Sequence, residues 1–362
     1  MQAQNFIAAD AKLLKAAKVA PWDPVYSFLS AEQLIKLSEI TESEPDKQSL
    51  KKQSIENLVL ALKSAPNDIW GWNNLAVIAL EEDPALAQKA AEYSVQLLPR
   101  SLNYPYYALG LTYLKLNQKN RAATAFALEG IINPKFMIAD LWKTGPFLEL
   151  QPDVLAAVLE TYERILESPS LTTNAAQWTN RALALLSWWY QKPNYAVDES
   201  SLSPLIRAVS VADQNSDQAL SILNDAGQDN AAVSLLKAWL SPEEYLSAYL
   251  STTSLEQSEI EKLRTDILSK RDIRNWLSST VSTPSPRFRY GLSFAYRNAA
   301  ADSVTLMLRP SGLETSVLVD IMELFSPPPR QFPVLDNLIE ETKDQLLGIP
   351  HPTRNNFELS SS

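Results

Sequence analysis

The stretch from Tyr106 to Pro134, YYALGLTYLKLNQKNRAATAFALEGIINP, narrows the choice of fold more than any other part of this chain. Tyr106, Leu109 and Tyr113 are spaced three and four apart, the interval that puts side chains on one face of a helix. Gly110 and Ala122 are small enough to let two helices approach closely, with Phe126 as the large residue of the second helix. Pro134 then ends that helix, because it has no backbone N–H and its ring clashes with the preceding turn. The pattern predicts a helical hairpin.

Tyr106, Leu109, Gly110, Tyr113, Ala122, Phe126 and Pro134 fall at the large, large, small, aromatic, small, aromatic and helix-ending positions of a tetratricopeptide repeat. That family's helix-turn-helix unit is about 34 residues long, and the segment resembles it strongly. Weaker copies of the spacing precede it. Residues 5–21, with Ala9, Leu13, Ala16 and Pro21, read as a second helix whose first is missing. Tyr26, Leu29 and Ser30 start a new first helix, an expanded polar connection follows from Thr41 to Gln53, and Leu58, Ala61 and Pro66 complete its partner. Trp72, Leu75 and Ala76, then Ala87, Ala91, Ser94 and Pro99, make the next unit. Such units bury their apolar faces only by stacking on one another, so residues 1–134 are expected to form an array with a truncated first repeat.

Composition supports an all-α chain. Apolar residues make up 46% and charged residues 20%, so nothing points to disorder. Eight glycines against 23 prolines are too few for a hairpin-rich β protein and enough proline to punctuate many helices. A net charge of −10 argues against generic nucleic-acid binding. With no cysteine, disulfides and thiolate metal sites are impossible, which leaves the redox compartment open. No run approaches the length of a membrane span, and Asp10, Lys12, Lys15 and Lys18 interrupt the first twenty residues, so neither a span nor a signal peptide is expected.

Beyond Pro134 the repeat spacing fades. Residues 135–347 read as a divergent helical region that packs on or extends the array. It starts with an irregular aromatic and proline connection, FMIADLWKTGPFLELQP. Helices are then expected over 153–166 and 174–190, near 203–213, 216–226, 229–240, 242–251 and 256–278, and over 334–347. Ser303 to Leu308 is the clearest β-like run, though a buried helical turn reads equally well. Residues 348–362 read as an unstructured tail.

Reactive constellations are scarce. The one histidine, His351, has no accompanying base or ligand cluster, which removes histidine triads and HExxH metal sites. None of GxSxG, GxGxxG or GxxxxGK occurs, and no paired carboxylates have an evident reason to be buried. No cofactor, metal or catalytic residue is expected.

Three surfaces remain as candidates. First-helix positions that do not pack internally would line the groove of the array: Trp70, Asn73, Val77, Tyr104, Tyr107, Leu111 and Lys115. They would take an extended peptide or a helix, or else Trp70, Tyr104 and Tyr107 cap the neighbouring helices. The family's clamp for C-terminal carboxylates uses Lys and Arg in this helix; Tyr104 and Ala108 stand there, so that partner class is not expected. Trp188, Trp189 and Tyr190, followed by Gln191, offer faces for a sugar, although adjacent aromatics on a helix point in different directions. Residues 262–309 carry nine Lys or Arg against three Asp. There Arg287, Arg289, Tyr290 and Arg297 form a patch for an anionic glycan or membrane surface, or one that packs on the acidic remainder of the chain.

The order of features has a longer resemblance. AAKVAPWDPVY, the expanded polar loop, NDIWGWNNLAVIAL, YYALGLTYL, the aromatic-proline segment after Pro134, the Trp-Trp helix near 188 and the YRN ending from Tyr296 to Leu338 are together similar to the soluble C-terminal repeat region of cyanobacterial O-antigen ligase and polymerase-type membrane proteins. That resemblance implies a non-catalytic accessory scaffold of cell-surface glycan assembly at the periplasmic face of the inner membrane. Met1 has no hydrophobic region before it, so the expectation is either a cut-out domain or a stand-alone relative. The alternatives are a catalytic or donor-binding part of a carbohydrate-assembling enzyme, and a cytosolic tetratricopeptide co-chaperone or assembly factor.

Overall fold

A computed structural model of the protein describes residues 2–101, 104–192, 195, 197–212, 214–225, 227, 231–252, 257–269 and 328–349. Those residues are all-helical, with no strand among them. Seven helices cover the first third: α1 (Gln2–Val19), α2 (Pro24–Ile40), α3 (Glu44–Ser64), α4 (Ile69–Ile78), α5 (Pro84–Leu97), α6 (Pro105–Lys115) and α7 (Lys119–Ile132). Two 3₁₀ turns, Pro134–Ile138 and Asp140–Lys143, lead into α8 (Gly145–Leu166) and α9 (Thr173–Trp189). Then come α10 (Pro204–Val211), α11 (Ser216–Asp225), α12 (Ala231–Leu240), α13 (Pro242–Thr252), α14 (Gln257–Leu268) and α15 (Pro333–Leu347).

Local chemistry sets where these helices start. Asp23, Asp68 and Asp83 accept hydrogen bonds from the backbone N–H groups of Val25, Trp70 and Leu86, at 3.0, 3.1 and 3.0 Å. They satisfy donors that a helix leaves open at its N-terminus. Proline follows in the first turn of α2, α5 and α10, where a missing N–H costs nothing. The turn between α6 and α7 runs through Asn117 at φ 57, a left-handed conformation that asparagine tolerates better than most residues.

Packing is local. Each helix from α1 to α14 rests on its neighbour in sequence, and α4 also meets α6, α10 meets α12, and α12 meets α14. The core is continuous from Phe28 in α2 to Ile267 in α14. Among the described glycines the closest approach is at Gly110. A Cβ added to Gly110 would sit 2.3 Å from Cε1 of the Phe126 ring, so only glycine lets α6 and α7 close to this distance. Leu109, Tyr113, Ala122 and Phe126 are all fully buried there.

Two expected connections turn out to be helical. The polar stretch Thr41 to Gln53 is mostly the first half of α3, which begins at Glu44 with Pro45, Glu44 and Asp46 in its first turn. Those carboxylates suit the positive end of the helix, and the segment is polar because that half is largely exposed to water. The irregular segment after Pro134 shrinks to the two 3₁₀ turns, and α8 starts at Gly145, not Asp153. Pro152 lies inside α8; the carbonyl that loses its partner belongs to Leu148, an exposed residue where water can bond to it. Helices α9 to α13 follow the expected positions closely; α14, expected over 256–278, runs from Gln257 to Leu268, and residues 270–278 lie outside the described residues. Ser303 to Leu308, His351 and the tail beyond Ile349 lie outside the described residues.

Helix α15 comes back to the front of the chain and packs on α7. Arg100, between α5 and α6, bonds Asp336 in the first turn of α15 at 2.9 Å and the carbonyls of Pro329 and Arg330 at 2.7 and 2.6 Å. At the other end Arg121 of α7 donates to the Leu346 carbonyl at 2.7 Å, while stacking over the Tyr113 ring at 4.1 Å. A cation at the carbonyl end of a helix is favoured by the helix dipole. Between these ends Leu335 and Ile339 are buried, and Phe332 meets Trp178 of α9 edge to face at 5.9 Å.

Candidate functional site

Three places in the fold collect polar or aromatic side chains, and two of them hold residues that the sequence singled out. The first is the pair α4 and α6, which lie side by side. Trp70, Asn73 and Val77 on α4, and Leu111 on α6, are half-buried, and Lys115 is exposed with its ammonium on Glu81. These residues make up the candidate row, spread over two packed helices that are not neighbours in sequence, with an amide and a cation among apolar groups. Tyr104 is half-buried at the entry to α6, its ring 6.4 Å from Phe136.

Tyr107 does not belong to that row. It is 8% exposed and packs against Phe126, Phe136 and Phe147, with ring centroids 6.1, 5.8 and 6.3 Å away. Trp142 closes the group from the far side, 5.9 Å from Phe126, with its indole N–H donated to the Phe136 carbonyl at 2.8 Å. The reason is the irregular segment: the 3₁₀ turns bring Phe136 and Trp142 back over α6. Tyr107 therefore caps its neighbours, as one of the two readings of these aromatics allowed.

The second place was not singled out. Glu129 of α7 is fully buried and reaches the N-terminus of α6, where the N-cap residue Tyr104 is left-handed at φ 59 and makes no side-chain cap bond of its own. Its carboxylate accepts the backbone N–H groups of Tyr106 and Tyr107, the latter at 3.3 Å, and a bond from the Asn133 side chain. Burial nevertheless dominates and pushes the Glu129 carboxyl up to about 8, against the lowering effect of those bonds. Tyr106 lies beside it, its phenol raised first by burial and then by the charges of Glu340, Glu129 and Asp344. Lys343 of α15 pairs with both Glu340 and Asp344. A signal existed in the sequence: Glu129 is the one charged residue in the stretch AATAFALEGII from Ala122 to Ile132.

The third place lies around the end of α9. Trp188, Trp189 and Tyr190 do point in different directions. Tyr190 turns inward and donates its hydroxyl to the Met137 carbonyl, while Trp188 and Trp189 meet edge to face at 5.9 Å. Trp188 then forms part of a cleft of about 860 Å³ between the end of α9, residues 195–202, α10 and α11. Its walls include half-buried Tyr195 and Val211 and exposed Gln191, Lys192, Arg207 and Gln218. That volume is in the range that small ligands occupy.

The anionic-partner patch, Arg287, Arg289, Tyr290 and Arg297, lies outside the described residues. Among the described residues no three His, Asp or Glu side chains are placed to hold a metal ion. Among them no helix is long and apolar enough to cross a membrane. In comparisons with known proteins, no family model, no curated protein and no solved structure matches the chain.

Proposed function

We propose that the chain is a non-catalytic interaction scaffold, its first seven helices a tetratricopeptide-like array that holds a segment of a partner protein across α4 and α6. The observation that carries this reading is the row Trp70, Asn73, Val77 and Leu111, half-buried on two helices brought side by side by the hairpin between them. Half-buried apolar groups flanked by an amide and a cation are suited to an extended peptide or an amphipathic helix, whose apolar side chains complete their burial. Within the first seven helices the packing of each helix on its neighbour and of α4 on α6, with Gly110 seated on Phe126, supports the repeat reading. The resemblance to the repeat region of O-antigen ligase and polymerase-type proteins supports a place beside a membrane enzyme of cell-surface glycan assembly. In that setting the scaffold positions a protein of the assembly, and the chemistry belongs to the enzyme.

The test is site-directed photo-crosslinking in the native host. A photoreactive residue at Val77 is expected to give a discrete protein adduct. The same residue at Leu60, exposed on α3, is expected to give none. Absence of an adduct at Val77, or equal labelling at Leu60, would count against a partner on this row.

A further inference from the structure

The cleft at the end of α9 has a distribution of charge that the array row lacks. Two cations, Lys192 and Arg207, stand on its wall, and neither forms an ion pair among the described residues. One carboxylate, Glu199, accompanies them. Gln191, Gln214 and Gln218 add side-chain amides, which can donate to an anion as well as accept. The apolar part of the lining includes the half-buried Trp188, Tyr195, Val211 and Ile222. Trp188 is held in place by its edge contact with Trp189 at an interplanar angle of 82°.

We propose that this cleft binds a carboxylate carried on an apolar or aromatic body, with the carboxylate at Arg207 and Lys192 and the body against Trp188 and Tyr195. Arginine's planar fork matches a carboxylate with two parallel hydrogen bonds, and lysine adds a point charge. The balance of two cations to one carboxylate leaves a lining of +1, which suits a singly charged group. A phosphate dianion would carry its second charge against Glu199. The site is separate from α4 and α6 and does not depend on a partner being held there.

Calorimetric titration of the full chain tests the proposal with 3-phenylpropionate, its amide, inorganic phosphate, and an acetyl-Ala-Ala-Phe peptide with a free or an amidated C-terminus. The free acid is expected to bind and its amide to bind roughly tenfold more weakly or not at all. Arg207→Gln and Lys192→Gln should each weaken the acid by a similar factor. Lys63→Gln, an exposed cation on α3, should leave it unchanged. If the free-ended peptide binds as the acid does, the ligand is a chain terminus; if only the acid binds, it is a small organic acid; both outcomes support the carboxylate site. Equal binding of acid and amide, phosphate binding as tight as the acid, or no saturation by the acid up to about 10 mM would each overturn it.

Discussion

Around Phe126 and around Trp188 this chain gathers aromatic side chains beside polar ones, and it does so in opposite ways. At Phe126 the rings of Tyr107, Phe136, Trp142 and Phe147 close on one another, and Glu129, on the same helix as Phe126, is fully buried. At Trp188 the rings are half-buried, the charges face water, and a cleft stays open between helices. The first arrangement commits its polar group to structure, since Glu129 caps α6 from a neighbouring helix. The second leaves its polar groups available. A scaffold needs both: a stretch whose geometry is fixed, and surfaces whose hydrogen-bonding capacity is unspent.

The comparison can be broken most severely at Glu129. Its folded pKa of about 8 is above the ordinary value of 4.5, so the stability it allows is fully present below pH 4.5 and is lost as pH rises through 8. Glu129→Gln keeps an oxygen for the N–H groups of Tyr106 and Tyr107 and removes the charge. Urea unfolding should find the two proteins alike near pH 4.5 and the Gln variant more stable near pH 8, by an amount on the order of a few kcal/mol. A constant difference across that range would mean that Glu129 is not a buried titrating group.

The next effect is steric. In Gly110→Ala the new methyl meets the Phe126 ring, whose other faces are already packed, and overfilled cores of this kind lose about 1–3 kcal/mol. Pairing it with Phe126→Leu should recover part of the loss, which a double-mutant cycle would read as coupling. Purely additive losses would separate the two residues.

A smaller and more local effect is expected at α15. Arg121→Ala removes the donors to the Leu346 carbonyl and the Tyr113 hydroxyl, and Arg100→Ala removes those to Asp336 and to the Pro329 and Arg330 carbonyls. Each should cost about 1–2 kcal/mol and speed amide exchange in α15 while leaving α2 to α5 unchanged. Uniformly faster exchange would mean that α15 is part of the same cooperative unit as the array.

The smallest effect is expected at the open site. Arg207→Gln and Lys192→Gln should change stability by no more than about 0.5 kcal/mol, as for surface residues without structural partners. A larger loss would place these cations with Glu129, as parts of the frame.

The same contrast explains what could be read in advance. The α6–α7 hairpin was legible because large and small residues, Tyr113 against Ala122 and Gly110 against Phe126, record which helix faces meet. The helices of the second region were legible from periodicity, and Ser203 with Pro204 after it marks where α10 starts. The helical first half of α3 was hidden because its solvated face carries the same Lys, Gln and Ser as a loop. Between the two readings of Tyr107 the sequence offered no choice, because its burial depends on 3₁₀ turns that follow no repeat spacing. The cleft had only Trp188 and Gln191 to announce it, since Arg207 and Gln218 join them through the placement of α10 and α11, which no local pattern encodes.

The central claim is that a partner is held by the row on α4 and α6. The most direct measurement is the affinity of the protein crosslinked at Val77, purified and titrated against wild type, Trp70→Ala/Leu111→Ala and Arg207→Gln. The account predicts roughly tenfold or greater weakening in the row variant alone. Equal affinity for all three, or loss only with Arg207→Gln, would contradict it.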